Sequence, residues 1–215
     1  EIALVHNGNA SSYNFLADTT GRWEYNVALE ICEKTMEKYP DAFGSRQCDA
    51  LKHQILNKSL SITGESAIPV LKEARFRLDY RNTGKFYYKI VPYDYKKANS
   101  EKVNWNKMVD QLRKEKGIYE LELDLTDPGD HQSHATEIVI PKLENGFYYI
   151  CVGSHMDYAK DGEAFNFMPL WVSDITYQIR YDEGTQNVLV TDRNDGKALS
   201  GAKCTVTYEK WNSLA

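Results

Sequence analysis

Apolar and polar residues alternate with the two-residue period of a β-strand along much of this chain, and the pattern is densest between Ala135 and Gly153. Ile138 and Ile140 fall on one face before a break. After it, Tyr148, Ile150 and Val152 share a face, with Phe147, Tyr149 and Cys151 on the other. The break reads Leu143-x-x-Gly146-x-Tyr148. Glycine lets the chain turn where a Cβ would clash, and a tyrosine two residues on can return its hydroxyl to nearby backbone, the tyrosine corner of Greek-key sandwiches. A plain hairpin with an incidental tyrosine fits the same spacing. Both readings make the structure antiparallel.

The same period predicts further strands. Ala74, Phe76, Leu78 and Tyr80 alternate with Arg75, Arg77, Asp79 and Arg81; Asn82-Thr-Gly84 supplies a turn, and Phe86, Tyr88 and Ile90 carry a return strand. This is the clearest hairpin signal in the chain. Tyr119, Leu121, Leu123 and Leu125 are expected to face inward, with Glu120, Glu122 and Asp124 outward. Phe165–Val172 contains Pro169, which marks an edge or bulged strand. With the short strand Leu60–Thr63, six or seven strands lie within about a hundred residues, the density of an immunoglobulin-like sandwich.

Helical spacing occurs in three places. Ala28, Ile31, Cys32, Thr35 and Tyr39 form one stripe within 22–38, and Pro40 ends that helix. A second helix, from about Gly44 to Lys58, aligns Cys48, Leu51 and Ile55; the short intervening loop makes the two antiparallel neighbours. This pair is similar to one hairpin of a tetratricopeptide repeat, but no second copy follows at the ~34-residue period, so a peptide-binding array is not expected. The third helix, 102–114, places Trp105, Met108, Val109 and Leu112 together and is expected to cover an edge or an open end of the sandwich. Residues 1–21 show no sustained period and read as an extended lead-in.

Composition narrows the class. The chain has 215 residues, 42% hydrophobic and 27% charged, enough for one or two domains with real cores. A net charge of -5 argues against nucleic acid, which usually calls for a basic face. No apolar run approaches the ~20 residues that span a bilayer. The chain starts at Glu1 and stops shortly past a strand-like segment, and is expected to be a piece of something larger.

From Ser173 a new segment begins. Ile175, Tyr177, Ile179 and Tyr181 alternate with Thr176, Gln178 and Arg180, and Gly184 allows a turn. Then Asp192-x-x-x-Gly196-Lys-x-Leu199-x-Gly201-Ala202-x-Cys204-x-Val206 resembles the motif D-x-x-T-G-x-P-L-x-G-A-x-V, which opens many bacterial β-sandwich modules. Asp195, Ala198 and Cys204 depart from it without removing the turn. Phe76–Asn82 with Phe86–Val91 is similar to the opening of the first sandwich in bacterial, notably Bacteroidetes-type, α2-macroglobulin-like proteins. The helical segment with Tyr39, Pro40 and Cys48 before it, and Val172–Ile175 after it, match the same layout over roughly residues 22–212.

The resemblance implies a mainly β fold: an α-helical hairpin (22–65), an immunoglobulin- or fibronectin-like antiparallel β-sandwich of macroglobulin type (66–172), and the incomplete start of a second (173–215). It also implies a non-catalytic scaffold module in a large extracytoplasmic protein of the periplasm or cell surface, often lipid-anchored. Such a parent traps target proteases, and this piece would meet them only through the rest of that chain. The family's thioester needs Cys-x-Glu-Gln, which none of Cys32, Cys48, Cys151 and Cys204 begins. The alternative is a glycan- or protein-binding adhesion module, whose exposed Tyr and Trp would cluster on one face.

Other chemistry is sparse. His131-x-x-His134 with Asp127 and Asp130 has ligand types that suit zinc, but equally the look of a solvated loop, and His155, Asp157 and Asp161 form a similar cluster. Gly153-Ser154-His155 lacks the G-x-S-x-G frame of a hydrolase elbow, and no phosphate-binding glycine loop is present, so neither an enzyme nor a cofactor is expected. Asn9 and Asn57 sit in glycosylation sequons, meaningful only in a secreted eukaryotic chain. Cys32 and Cys48 lie eight residues either side of Pro40 and should face each other. They are either two buried thiols in contact or a disulfide worth about 3 kcal/mol. Cys151 and Cys204 are expected to be free.

Overall fold

The computed structural model of the protein describes residues 1–96 and 105–205. Three helices lead the chain: α1 (Ile2–Ser11), α2 (Glu24–Lys38) and α3 (Phe43–Leu56). Eight strands follow: β1 (Ser59–Thr63), β2 (Ala67–Ile68), β3 (Ala74–Arg81), β4 (Lys85–Pro92), β5 (Tyr119–Asp124), β6 (His134–Ile140), β7 (Gly146–Gly153) and β8 (Phe165–Val172). Helix α4 (Trp105–Lys114) interrupts them, and β9 (Ile175–Asp182) and β10 (Thr185–Asp192) complete the described elements. The fold is mainly β.

Two sheets, β1-β3-β6 and β2-β8-β7-β4-β5, face each other as a sandwich. All pairings are antiparallel except the two-residue contact of β2 with β8. Phe76, Leu78, Ile138 and Ile140 from one sheet pack with Phe86, Tyr88, Ile90, Ile150, Val152 and Leu170 from the other. Each fully buried side chain of this size stabilises the fold by about 1.5–3 kcal/mol relative to exposure. Pro169 pairs with Tyr149 on β7, and on its other side β2 reaches only Trp171 and Val172, so the missing N–H disrupts no ladder there.

The corner at Gly146 is a tyrosine corner. The Tyr148 hydroxyl donates to the Glu144 carbonyl at 2.9 Å, and a Cβ on Gly146 would sit 3.1–3.2 Å from the tyrosine ring. It carries the chain from β6 in one sheet to β7 in the other, so the plain-hairpin alternative does not hold.

The strongest sequence signal misled. β3 and β4 are not hairpin partners, because β3 pairs with β1 and β6 while β4 pairs with β5 and β7. Asn82-Thr-Gly84 is an arch between the sheets. Asn82 has φ +53°, and its amide donates to the Ile55 and Asn57 carbonyls at 2.7 and 2.9 Å, which turns the chain toward the helices. Both apolar faces then meet across the core rather than lying side by side.

Two further expectations change. The segment read as an extended lead-in is helical over Ile2–Ser11. Its contact residues are Ala3 and Ala10, and a Cβ on Gly21 would lie 2.3 Å from the Asn9 carbonyl. Close docking of small residues makes this helix, while its larger Ile2, Leu4 and Val5 stay exposed, so no apolar stripe announces it. Helix α4 covers neither an edge nor an end. Its Met108 and Leu112 lie with Phe147, Tyr149, Cys151 and Val91 on the outer face of the five-stranded sheet. Residues 102–104 of the expected helix lie outside the described residues.

α2 and α3 pack antiparallel through Tyr25, Ala28, Cys32, Leu51 and Ile55. Cys32 and Cys48 interact as free thiols; burial, then the Cys48 thiol beside it, pushes Cys32 up to about 12. Cys151 and Cys204 are also free. No helix among the described residues is long and apolar enough to cross a membrane.

β9 and β10 form a separate two-stranded ribbon. Ile175, Tyr177, Ile179, Val188 and Val190 share one of its faces, around a hollow of about 610 Å³ that Ala202–Thr205 also line. The turn of the Asp192 motif is formed as its residue types demand. Asp192 Oδ1 accepts from Asn194 N–H at 2.7 Å, Gly196 N–H returns to the Asp192 carbonyl at 2.9 Å, and Gly196 has φ +73°. Val206 of that motif lies outside the described residues.

Candidate functional site

The loop between β5 and β6 gathers the densest polar chemistry of the described residues, and its centre is Asp130. This carboxylate has no solvent exposure. Its Oδ2 accepts from Arg22 Nε at 2.8 Å; its Oδ1 accepts from His134 Nε2 at 2.8 Å and from Gln132 N–H at 3.0 Å. Burial alone would raise its pKa, but the bonds from His134, Arg22 and Gln132 together hold it below the usual carboxylate value. An Asp-Pro-Gly-Asp turn places it there: Gly129 takes φ +73°, with its N–H on Asp127 Oδ1 at 2.9 Å.

Arg22 and the residues around Asp130 tie the helices to the sandwich, while His134 braces the carboxylate from β6. Gln132 donates to the Ala10 and Arg22 carbonyls at 3.1 and 3.3 Å. Asn26 donates to the Gly129 carbonyl at 3.1 Å. His131, at φ +56°, donates through Nδ1 to Asn82 Oδ1 at 2.7 Å, and burial holds its pKa below the ordinary value. Arg81 donates to the Ile55 carbonyl at 3.1 Å and lies 4.8 Å from the Tyr25 ring centre. The loop is a junction.

The zinc reading of this loop required His131, His134, Asp127 and Asp130 to converge. They diverge instead: His131 turns to Asn82, Asp127 closes its own turn, and only His134 meets Asp130. No three His, Cys, Asp or Glu side chains are arranged to hold a metal ion among the described residues.

The second cluster is also taken apart. His155 Nδ1 accepts from Asp157 N–H, and Asp157 caps Ala159, while Asp161 joins neither bond. Ser154 does not meet His155's ring; its hydroxyl donates to Glu163 at 2.7 Å and accepts from Ala164 N–H. Lys58, just after α3, donates to both Glu163 oxygens at 2.9 and 3.1 Å. Hydrogen bonds from Ser154 and Lys58 lower the Glu163 pKa. This is a second tie between the helical unit and the sandwich.

One functional-looking residue escaped the sequence reading. Lys89, in mid-strand on β4, is buried on the outer face of its sheet. Its ammonium donates to the Arg113 carbonyl at 2.9 Å and to that of Glu115, and lies 4.3 Å from the Tyr158 ring centre. Burial lowers its pKa, yet the carbonyls at the end of α4 are what a cation there should cap. A lysine inside Phe86-Tyr-Tyr-Lys-Ile-Val91 was the available signal.

The sequence matches no family model and no curated protein. Among solved structures, the chain is similar to native α2-macroglobulin from Escherichia coli spanning domains MG0-NIE-MG1, with a TM-score of 0.42 and 11% identity. That alignment covers 66% of this chain and 48% of the other, so the chain spans about half the length of that fragment. It is also similar to the CARDB domain of a Pyrococcus furiosus protein, solved with di-metal ions (TM-score 0.30, 10% identity, 54% of this chain and 92% of that one). Red sea bream transglutaminase gives a TM-score of 0.35 at 13% identity, over 71% of this chain and 23% of that one.

Proposed function

We propose that this chain is a non-catalytic scaffold module of a large extracytoplasmic α2-macroglobulin-like protein, whose parent traps proteases. The observation that carries the reading is the use of the polar loop residues. Asp130, Gln132 and Glu163 hold the helical unit on the sandwich, His131 and Ser154 brace Asn82 and Glu163 at those ties, and none of the five converges on an open space. The sequence likeness of Phe76–Val91 and of the Asp192 motif supplies the family. The ribbon β9–β10 then belongs to a second sandwich, whose other strands cover its apolar face. Association with the cell envelope, by lipid or otherwise, follows from the same family reading.

The test compares the parent with residues 1–215 alone, against a broad-specificity endoprotease acting on a large protein substrate. The parent should protect the substrate and the isolated chain should not. Stoichiometric inhibition by the chain alone overturns the scaffold reading.

A second reading, a glycan-binding module, is favoured by one observation. Tyr95 meets Phe147 and Trp171 edge to face at 5.4 and 4.7 Å on the outer sheet face, Phe147 and Trp171 lie tilted at 4.7 Å, and Trp105 lies 5.2 Å from Phe167 on that same face. Tyr95, Trp171 and Trp105 are exposed. Saturable quenching of tryptophan fluorescence by a soluble oligosaccharide, lost in Trp171→Ala, would select this reading.

A further inference from the structure

We propose that the free edge of β5 accepts an extended peptide from a partner protein as an additional strand, and that the peptide alternates apolar with Lys or Arg residues. The proposal stands apart from the scaffold reading, since it needs only the sandwich.

β5 ends the five-stranded sheet, pairing with β4 on one side and with no strand on the other among the described residues. An unpaired edge presents a row of backbone donors and acceptors, which proteins usually blunt with Pro, Lys, a bulge or a very short strand. Tyr-Glu-Leu-Glu-Leu-Asp has no Pro, Gly or Lys and runs in unbroken register from Tyr119 opposite Ile90 to Asp124 opposite Lys85. The other edge strand here, β6, is better protected. Its Val139 carbonyl accepts from the Tyr88 hydroxyl at 3.0 Å, and Pro141 follows its last residue.

The side chains of β5 are set for a neighbour. Tyr119, Leu121 and Leu123 point inward as expected but are not buried, remaining 37–38% exposed because the three-stranded sheet stops at β6. With Tyr88, Ile138 and Val139 they line an open cleft of about 370 Å³ between the two sheets. One more strand beside β5 would place alternate side chains in that cleft, the geometry of strand addition.

Charge decides which strand. Glu120, Glu122 and Asp124 share the outer face of β5, and Glu73 and Glu137 stand at the cleft. Lys85 pairs with Glu122 and with Asp124 from the β4 side, and Arg75 with Glu137. Lys89, opposite Glu120, has its ammonium held by the α4 carbonyls. Glu122 and Asp124 thus share one lysine, and Glu120 has no salt bridge, its carboxylate accepting from Gly117 N–H at 2.8 Å, so the three outer-face carboxylates outnumber their cations. A second copy of β5 would set its own three carboxylates beside these on the same face, and like charges directly opposite destabilise a sheet. Lysine or arginine at alternate positions repeats what Lys85 already does across the first pairing. The occupant is therefore basic and apolar in alternation, not a second copy.

The probe is the blocked heptapeptide Lys-Val-Lys-Val-Lys-Val-Lys, titrated into the 215-residue chain with amide hydrogen exchange read at each residue. Binding should protect amides of 119–124. The same peptide with glutamate for lysine should bind at least about ten-fold more weakly. E120Q/E122Q, which keeps side-chain size and leaves the core untouched, should remove most of that discrimination. No binding up to about 1 mM overturns the proposal. So does protection confined to 175–192, equal affinity for the acidic peptide, or self-association of the chain that protects 119–124.

Discussion

β7 and β9 are both eight-residue strands rich in Tyr and Ile, and they meet opposite fates. β7 is buried at every position after Gly146, whereas Tyr177 and Tyr181 of β9 are 65% and 74% exposed. β7 has β4 and β8 on its flanks, β3 and β6 over Tyr148, Ile150 and Val152, and α4 over Phe147, Tyr149 and Cys151. β9 has β10, and across its apolar face no strand lies among the described residues; only Ala202–Thr205 border the hollow there. The sequences foretell the difference in part. β7 is apolar on both faces, as a strand covered twice must be, while β9 alternates with Thr176, Gln178 and Arg180 and needs one cover. Pattern states how many faces want burial. It does not say what buries them.

The sharpest way to break this comparison is to remove one core side chain from each region. Phe76 lies fully buried between the sheets, so Phe76→Ala should cost about 4 kcal/mol in urea unfolding, from lost transfer energy and the cavity left behind. A loss below about 1 kcal/mol would mean that the sandwich core is not where stability resides.

The next effect separates the helical unit from the sandwich. Asp130→Ala strips the carboxylate shared by Arg22, His134 and the Gln132 amide, and should cost about 3 kcal/mol. Protease nicking between α3 and β1 should rise with it. The sign with pH follows from the lowered carboxyl. Its contribution is complete above the ordinary carboxylate pKa of about 3.9 and is lost as pH falls below that value. Acid should therefore loosen the helices from the sandwich, and Asp130→Asn should flatten that dependence. A pH profile unchanged by the substitution would remove Asp130 from the junction.

How far the sequence could be read follows from how local each interaction is. The tyrosine corner is a bond from residue 148 to residue 144, and both ends are visible in one short string. The Asp192 turn is equally local. The β3–β4 error has the opposite cause: Asn82-Thr-Gly84 suits a turn, but which sheet receives β4 depends on β6 and β7, sixty residues away. Helix α1 hid because alanines and a distant glycine make its contact. The His131–His134 loop advertised ligand chemistry, whereas its real partners, Arg22, Ala10 and Asn82, lie 49 to 122 residues off. Residue types were legible; their recipients were not.

A smaller loss is expected at the corner. Tyr148→Phe keeps the ring that packs against Gly146 and removes only the hydroxyl bond to Glu144, so about 1 kcal/mol should go. The same loss from Tyr88→Phe, whose hydroxyl reaches Val139, would show that the corner has no special weight beyond a single hydrogen bond.

The smallest stability change should come from the ribbon, and it sharpens the comparison most. Tyr177 faces the hollow with Ile179, Val188 and Val190, and its cross-strand neighbour is Val190. A side chain that stays wet on folding loses little when shortened, so Tyr177→Ser should shift unfolding by less than about 0.5 kcal/mol. Its effect should appear elsewhere. An apolar sheet face of this kind drives association, and sedimentation at rising concentration should show less self-association in the variant than in the parent chain. The Val70 amide on Asp174 and Lys72 on Asn194 hold the ribbon's base to the sandwich, so its attachment should survive the change. A large destabilisation by Tyr177→Ser would place a buried partner over β9 within residues 1–215, and the contrast with β7 would then be one of degree.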